Sequence, residues 1–228
     1  MRHRDEITVR GTDVLFGKWS LLFATPFYQV TLPEHEALNA ALLNLLDTER
    51  RSLPSGTAGW RSVVGNGWRT DDGFLQRSEA PIRKLHRLLL EHARRVVQYG
   101  QNRKLDLELH LSGWAVSLGS GGRQTEHVHP HASWSGVYYV RGGGAGTNGG
   151  GCLRVTDPRP AAMMVTLGPN DAQFIEARQI CPKTGLLVLF PAWLSHGVTP
   201  VDPETNEAEG ETRVAVAFNV HGAERGLR

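Results

Sequence analysis

The spacing of apolar and polar positions changes about halfway along the chain. In "PEHEALNAALLNLLDTERR" (33–51) and "EAPIRKLHRLLLEHARRVVQYG" (79–100), apolar residues recur three or four positions apart, which predicts two amphipathic helices. From residue 105, "LDLELHLSGWAVSL" alternates apolar and polar positions, which is typical of a half-buried strand. The pattern therefore predicts a helical first part and a β-rich second part.

Short apolar segments separated by turn signals continue to residue 222. They are "WSGVYYV", "CLRVTDPRP", "AMMVTL", "AQFIEA", "GLLVLFP" and "TRVAVAFNV", with the Gly-rich connection "RGGGAGTNGGG" after the first. Many short strands of this kind indicate a barrel or a sandwich. We predict one α+β, mainly β domain over residues 1–228. Residues 1–104 would form a helical layer with an entry strand in "LLFATPFYQVTL" (21–32), packed on one face of a β core at 105–222.

Composition and charge narrow the function classes only slightly. The chain has 228 residues, of which 40% are hydrophobic and 21% charged, and its formal charge is +2. These values are ordinary for a globular protein and favour no charged partner. The basic stretch "IRKLHRLLLEHARR" is interpreted as the solvated face of a helix, so a nucleic-acid partner is not expected. The start has no apolar leader and no apolar run could cross a bilayer, so we predict a cytoplasmic protein without a membrane partner.

The two cysteines predict no disulfide framework. Cys152 and Cys181 lie far apart in sequence and do not form a CxxC motif. In a reducing compartment we expect both to be free thiols.

The segment "EHVHPHASWSGVYYV" (126–140) carries three histidines at alternate positions just before a predicted strand. Positions i and i+2 of a strand face the same side, so His127 and His129 can bind one ion together. Imidazole nitrogen is a ligand for zinc, copper, iron and nickel. His131 follows Pro130, where the chain turns, and is less suited to direct coordination. Each histidine taken singly is as well explained as a surface or core residue.

A third ligand and an anion site follow later in the chain. His196 comes just after the strongly apolar strand 186–190 and Pro191, a position that suits the mouth of a barrel. Arg213 heads "RVAVAFNV" on the same face as Ala215 and Ala217, where a buried charge is costly unless an anion meets it. A guanidinium group suits a carboxylate. We therefore predict a metal site beside an anion site.

The order of these residues resembles the double-stranded β-helix oxygenases that use Fe(II) and 2-oxoglutarate. The resemblance is strongest to the subgroup with the pattern HxHP, SGVYY, DPR, LFPxWLxH and RxxxAFN. These motifs begin here at His127, Ser135, Asp157, Leu189 and Arg213, and the resemblance as a whole covers about residues 105 to 222. The resemblance implies a jelly-roll, cupin-like barrel.

The resemblance also implies a function. The chain would be a dioxygenase that uses O2 to hydroxylate an unidentified substrate while converting 2-oxoglutarate to succinate. The implied metal ligands are His127, His129 and His196. The implied 2-oxoglutarate contacts are Arg213, Tyr138, Ser135 and Asn219. Only one of Tyr138 and Tyr139 can face inward. Further pocket candidates are Gln124, Trp114, His131 and Asp157.

One departure from the superfamily bears on the metal. The usual triad is two histidines and a carboxylate, but the carboxylate position here is His129. Three neutral imidazoles leave the charge of the ion uncompensated, and zinc or nickel could replace iron in a purified sample. The nearest carboxylates are Glu126, expected on the opposite strand face, and Asp157, expected in a turn.

Several alternatives stay open at this point. A cupin-like metal-binding β-barrel without oxygenase activity explains the missing carboxylate, although it gives Arg213 no role. The prime substrate could be a small metabolite, a peptide side chain or a nucleotide. The resemblance allows a homodimer without requiring one.

Overall fold

The computed structural model describes residues 24–52, 63–99, 104–143, 150–159, 176–202 and 212–225. The helices are α1 (His35–Ser52) and α2 (Ala80–Gln98), with a 3-10 turn at Phe74–Gln76 between β3 and α2. The first strands are β1 (Tyr28–Thr31), β2 (Val63–Val64), β3 (Gly67–Arg69), β4 (Leu107–Leu118), β5 (Arg123–His127) and β6 (Trp134–Gly142). The remaining strands are β7 (Leu153–Thr156), β8 (Ala177–Ile180), β9 (Leu186–Pro191), β10 (His196–Val198) and β11 (Arg213–Glu224).

The two predicted helices are confirmed. The second buries the apolar face that its sequence predicts. Pro81 lies in the first turn of α2, where its missing N–H has no helical partner to lose. The apolar stripe of α2 is buried at Ile82, Leu85, Leu89, Ala93 and Val96. Burying one leucine side chain of this kind contributes about 1.5–3 kcal/mol to folding. Neither helix in the described ranges is long and apolar enough to cross a membrane.

Two antiparallel sheets form the β core. The larger has the strand order β1-β9-β6-β11-β4-β3, and the smaller has the order β2-β5-β10-β7-β8. The helices cover the outer face of the larger sheet, and a second apolar cluster fills the space between the sheets. This arrangement confirms the predicted mainly β, α+β fold, a double-stranded β-helix with helices on one face.

Alternation along β6 and β11 sends neighbouring residues to opposite faces of the larger sheet. Tyr138 and Val214 belong to the cluster under the helices, whereas Tyr139 and Ala215 belong to the cluster between the sheets. Strand β9 is buried along its whole length because it has covered faces on both sides. Its continuous apolar sequence "LLVLFP" follows from that double burial.

The segment between the two helices contains two short strands. Residues 63–64 and 67–69 form strands, β2 pairing with β5 and β3 pairing with β4. Gly65 has a φ of +80° and turns the chain between them, a conformation that glycine adopts without strain. These strands form because both sheets offer edge partners, which a short local sequence does not reveal.

Other strand predictions differ in extent. The entry strand is shorter than predicted and is confined to Tyr28–Thr31, after Pro26. The predicted strand "AMMVTL" (162–167) and most of "AQFIEA" (172–177) lie outside the described residues, as do residues 21–23 of the entry segment. Strand β7 confirms the strand predicted in "CLRVTDPRP".

Candidate metal centre

Three histidines converge where the smaller sheet meets the space between the sheets. One ligand atom from each of His127, His129 and His196 lies within 4.8 Å of the others. His127 ends β5, His196 begins β10, and the two residues are paired across these antiparallel strands. The backbone N–H of His129 donates to the carbonyl of Ala192 at 2.9 Å, which holds it against the segment that leads to His196.

Two of the imidazole rings are oriented by carbonyl groups two residues earlier in the chain. His127 Nδ1 lies 2.8 Å from Thr125 O, and His196 Nδ1 lies 2.8 Å from Leu194 O. A carbonyl oxygen only accepts hydrogen bonds, so Nδ1 carries the proton in both rings. The lone pair of each neutral ring is therefore on Nε2, the atom left free to bind a metal.

His129 is held by a side-chain amide. Asn219 Nδ2 lies 3.4 Å from His129 Nδ1, and Asn219 Oδ1 accepts a hydrogen bond from Ser135 Oγ at 2.8 Å. Rotating the amide by half a turn would present its oxygen to Nδ1 instead. The position of the proton on His129 thus depends on the orientation of Asn219, unlike that of the other two rings.

Burial keeps His129 and His196 neutral at physiological pH. It lowers the pKa of His196 to about 3 and that of His129 to about 4, and the neighbouring imidazoles of the cluster lower both further. Desolvation disfavours the charged imidazolium, which is the physical cause of both shifts. Neutral imidazole is the form that binds metal.

The cluster opens onto a cavity between the two sheets. The polar side chains that line it with the histidines are those of Gln124, Ser135 and Arg213, and Trp114 forms part of the wall. Its apolar wall includes Val116, Leu153, Phe190 and Val198. The Phe190 ring meets the His196 ring edge to face at 4.7 Å between centroids. The structure thus brings four of the predicted pocket residues together with the three predicted ligands.

Arg213 lies deep in this cavity and is 1% exposed. Its Nε has no hydrogen-bond partner among the described residues, and its guanidinium carbon lies 5.0 Å from the centroid of the Tyr139 ring. The buried Tyr139 hydroxyl also lacks a well-formed hydrogen bond there. Burial raises the pKa of Tyr139, and the adjacent Arg213 cation opposes that rise. A buried cation with an unsatisfied donor is a strong attractor for an anion.

The prediction that Tyr138 faces the pocket is wrong. Its hydroxyl donates to Asn39 Oδ1 in α1 at 2.6 Å, and its ring packs under the helices. Tyr139 takes the inward position. The sequence contains a signal for this choice. Ser135 lines the cavity, and Tyr139, four positions later, lies on the same face of a regular strand, whereas Tyr138 lies on the opposite face.

Two other candidates also lie away from the cavity lining. His131 is exposed, and its carbonyl accepts a hydrogen bond from His221 Nδ1 at 3.1 Å. Asp157 forms an ion pair with Arg159 at 2.7 Å and accepts a hydrogen bond from the Arg159 backbone N–H, as the predicted turn requires. Asn219 acts on His129 and Ser135 rather than lining the cavity.

Glu126 also turns away from the histidines. Its carboxylate binds Arg154 and accepts a hydrogen bond from Thr156 Oγ1 on the outer side of the smaller sheet. The metal-ligand cluster found among the described residues therefore contains histidines alone.

Comparison with known proteins gives a consistent picture of the fold. The Pseudomonas putida prolyl-4-hydroxylase is similar over 89% of this chain and 94% of its own, with 17% identity and a TM-score of 0.56. A Trichoplax adhaerens prolyl hydroxylase, solved with a hypoxia-inducible-factor peptide, matches over 85% and 82%, with 14% identity and a TM-score of 0.54. The carbocyclase SnoK from nogalamycin biosynthesis matches over 90% and 84%, with 9% identity and a TM-score of 0.58. At these identities the similarity establishes the fold.

A family model matches the sequence of the β core. No curated protein matches the chain. Residues 112–219 match the family model described as "Putative 2OG-Fe(II) oxygenase", in which 2OG stands for 2-oxoglutarate. The matched segment runs from β4 to β11 and contains all three clustered histidines and Arg213. Over this core, which is slightly less than half of the chain, the sequence is similar to the 2-oxoglutarate- and Fe(II)-dependent oxygenases.

Proposed function

We propose that this oxygenase holds Fe(II) on His127, His129 and His196 and binds 2-oxoglutarate with its distal carboxylate at Arg213. The observation that carries the proposal is a buried arginine with an unsatisfied donor, in a cavity that three converging imidazoles also line. A structural metal site would give that arginine no role. An anion that reaches both the metal and Arg213 accounts for both features.

The donor set fits a divalent transition metal. Three neutral nitrogen ligands suit Fe(II), and they also suit Zn(II) and Ni(II), which form stronger complexes with nitrogen donors. No carboxylate joins the histidine cluster within the described residues, so these residues supply no negative charge there. We infer that the 2-oxo acid end of the co-substrate supplies the anionic oxygen ligand. When bound, iron supplies the activation of O2 that couples oxidation of 2-oxoglutarate to hydroxylation of the substrate.

The overall reaction balances with a single oxygen molecule. One oxygen atom enters succinate as 2-oxoglutarate loses CO2, and the other enters the prime substrate as a hydroxyl group. The residues of this chain position and shield the reactants, and the metal and co-substrate supply the chemistry.

Arg213 would orient the co-substrate. Its guanidinium would pair with the distal carboxylate, and the adjacent Tyr139 hydroxyl would donate a second hydrogen bond. Both groups are already desolvated, so the pairing recovers hydrogen bonds that folding left unmade. Fixing the far end of the molecule in this way directs its 2-oxo acid end toward the histidines.

The apolar wall would limit the access of water. Phe190 packs on His196, and Val116 and Leu153 close the cavity between the sheets. A low-dielectric wall strengthens the contacts between the carboxylate and Arg213. It would also protect the reacting centre from unproductive side reactions.

The missing carboxylate favours a second candidate function, a cupin-like metal protein without oxygenase activity. This candidate would hold Zn(II) or Ni(II) on the same three histidines. It predicts metal binding that is unaffected by 2-oxoglutarate.

We also propose that the chain acts as one domain, in the cytoplasm, and that a homodimer is compatible with its fold. Size-exclusion chromatography with light scattering tests the dimer. The prime substrate would provide the C–H bond that is hydroxylated.

Succinate formation tests the proposed function directly. Metal-stripped protein is reloaded anaerobically with Fe(II), and succinate is followed with 2-oxoglutarate and O2. We expect succinate that requires iron, is lost in Arg213→Ala, and persists in Arg178→Ala, which removes an exposed arginine on β8. Metal binding without 2-oxoglutarate binding or succinate would support the cupin-like alternative instead.

A further inference from the structure

The two cysteines of the chain lie side by side at one end of the β7–β8 pair. Cys152 directly precedes β7 and Cys181 directly follows β8. Leu153 pairs with Ile180 in this antiparallel ladder, so the next positions outward, 152 and 181, face each other. Their Sγ atoms are 2.9 Å apart, with the Cys152 thiol donating to Cys181. Facing strand positions are close enough for a disulfide bond without rearrangement of the backbone.

The two thiols have different environments. Cys152 is 0% exposed, its N–H donates to Thr199 Oγ1 at 2.9 Å, and its carbonyl accepts from Thr199 N at 3.0 Å. Cys181 is exposed and is followed by Pro182. Burial raises the pKa of Cys152 to about 12, so it stays protonated at neutral pH. A dissolved oxidant therefore reaches the exposed Cys181 first, and the buried Cys152 thiol is in contact with it.

We propose that Cys152 and Cys181 form a reversible dithiol–disulfide site that reacts with hydroperoxides. Cys181 Sγ attacks the O–O bond of hydrogen peroxide, which gives a sulfenic acid on Cys181 and releases one water. Cys152 Sγ then bonds to Cys181 Sγ, and the sulfenic oxygen leaves as a second water with the proton of Cys152. The two thiols together lose two protons and two electrons, and hydrogen peroxide is reduced to two molecules of water. A dithiol reductant reverses the reaction by exchange.

The position of the pair defines what the bond does. Strand β8 has four residues and, among the described strands, lies at the edge of the smaller sheet beside β7. Strand β7 in turn pairs with β10, which carries His196. A bond between the cysteines fixes the edge strand to the part of the sheet that supports the histidine cluster. It also closes the chain between residues 152 and 181 into a loop, which stabilises the fold by restricting the unfolded chain.

The bond should leave the neighbouring anion site intact. Cys152 lies within electrostatic range of Arg213 and Tyr139, but its backbone is held on both sides by Thr199. Closure therefore brings the exposed Cys181 toward Cys152 rather than moving Cys152. The disulfide is then a structural staple and not a switch of 2-oxoglutarate binding, an inference that rests on the proposed role of Arg213.

Mass spectrometry of alkylated protein tests the chemistry. The full chain, wild type or Cys181→Ser, is treated with hydrogen peroxide, denatured and alkylated with N-ethylmaleimide. We expect oxidised wild type to lose the mass of two hydrogens, take no label and run as a monomer on a non-reducing gel. Dithiothreitol should restore two labels. Cys181→Ser should take one label with or without peroxide, because its remaining thiol is buried in the folded protein during oxidation.

Calorimetry completes the test. The melting temperature of wild type should rise on oxidation by on the order of 5 °C or more, and that of Cys181→Ser should not change. Sulfinic acid on Cys181 with Cys152 still available for labelling would overturn the proposal, as would a disulfide-linked dimer. Affinity for 2-oxoglutarate should stay within about twofold between the two wild-type forms, and a tenfold change (about 1.4 kcal/mol) would overturn the staple. If neither form binds 2-oxoglutarate, the proposed function fails while the mass measurement still decides the disulfide.

Discussion

The two faces of the larger sheet are formed by the same strands but have different roles. Under the helices, Tyr138 donates its hydroxyl to Asn39, and Val214 begins an apolar row along β11. On the other face, one residue away in each strand, Tyr139 and Arg213 bury polar atoms that lack well-formed hydrogen bonds among the described residues. The first face is mainly apolar and stabilises the fold, whereas the second buries a cation beside a cavity, where a ligand can pair with it. Substitutions on the two faces should therefore separate stability from binding.

The largest expected effect is on the binding face. Arg213→Met replaces a buried cation by an apolar side chain of similar length, and we expect affinity for 2-oxoglutarate to fall by about two orders of magnitude. Stability should be unchanged or higher, because Arg213 Nε has no partner among the described residues and removing the buried charge relieves a desolvation cost. Anaerobic calorimetric titration measures the affinity, and scanning calorimetry measures the stability. A marked drop in melting temperature with normal affinity would show that Arg213 has a structural partner.

The opposite result is expected under the helices. Leu89→Ala removes a fully buried side chain from α2 and should lower the free energy of unfolding by about 2–5 kcal/mol. At temperatures where the variant is folded, its affinity for Fe(II) and 2-oxoglutarate should match that of the wild type. Urea unfolding measures the stability, and ligand titration measures the affinity. Arg178→Ala, which shortens an exposed side chain, is the control. Weakened ligand binding in folded Leu89→Ala would contradict the expectation that the two faces of the sheet act independently.

Acid should act on the histidine cluster of the metal-free protein. The pKa values of His129 and His196 are lowered by burial to about 4 and about 3, from an ordinary value of 6.5. Above pH 6.5 these groups are neutral in both states and cost nothing. As pH falls below 6.5, the unfolded chain takes up protons that the folded chain refuses, so stability decreases until the folded pKa values are reached.

Melting temperature measured between pH 7 and pH 4 checks this dependence. A divalent metal competes with protons for the same nitrogens, so the metal-loaded protein should hold its stability to lower pH. A metal-free protein whose melting temperature stays flat over this range would mean that the cluster is not neutral and buried.

The smallest effects sharpen the comparison at adjacent positions. Tyr138→Phe removes a buried hydrogen bond to Asn39 and should destabilise the fold by about 1 kcal/mol with no effect on 2-oxoglutarate affinity. Tyr139→Phe removes a hydroxyl without a well-formed partner, so it should leave stability nearly unchanged and weaken 2-oxoglutarate binding several-fold. Parallel melting and titration of both variants provide the check. Exchanged phenotypes would mean that the assignment of the two faces is reversed.

The parts of the structure predicted from sequence are those governed by local periodicity. The stripe Ile82, Leu85, Leu89 on α2 follows from helical spacing, and the shared face of His127 and His129 follows from strand spacing. Convergence with His196 was expected from its position after an apolar strand, and the β5–β10 pairing provides it.

The parts that the sequence did not predict depend on partners distant in the chain. Strands β2 and β3 exist because β5 and β4 offer edges to pair with. The choice between Tyr138 and Tyr139 depends on which face of the sheet the helices cover, and both residues are equally apolar in β6. Strand parity with Ser135 was the one local clue to that choice.

The hydrogen bonds from His127 and His196 to carbonyls two residues earlier have a kinetic consequence. Each ring is fixed by its own stretch of chain, through Thr125 O and Leu194 O, rather than by the ion. The site is therefore preorganised, and little conformational entropy is left to lose when an ion arrives. Metal capture should then be limited by the exchange of water on the incoming ion and not by folding of the protein. Unlike a zinc finger, which is unfolded without its metal, this chain can release and regain the ion on a finished scaffold.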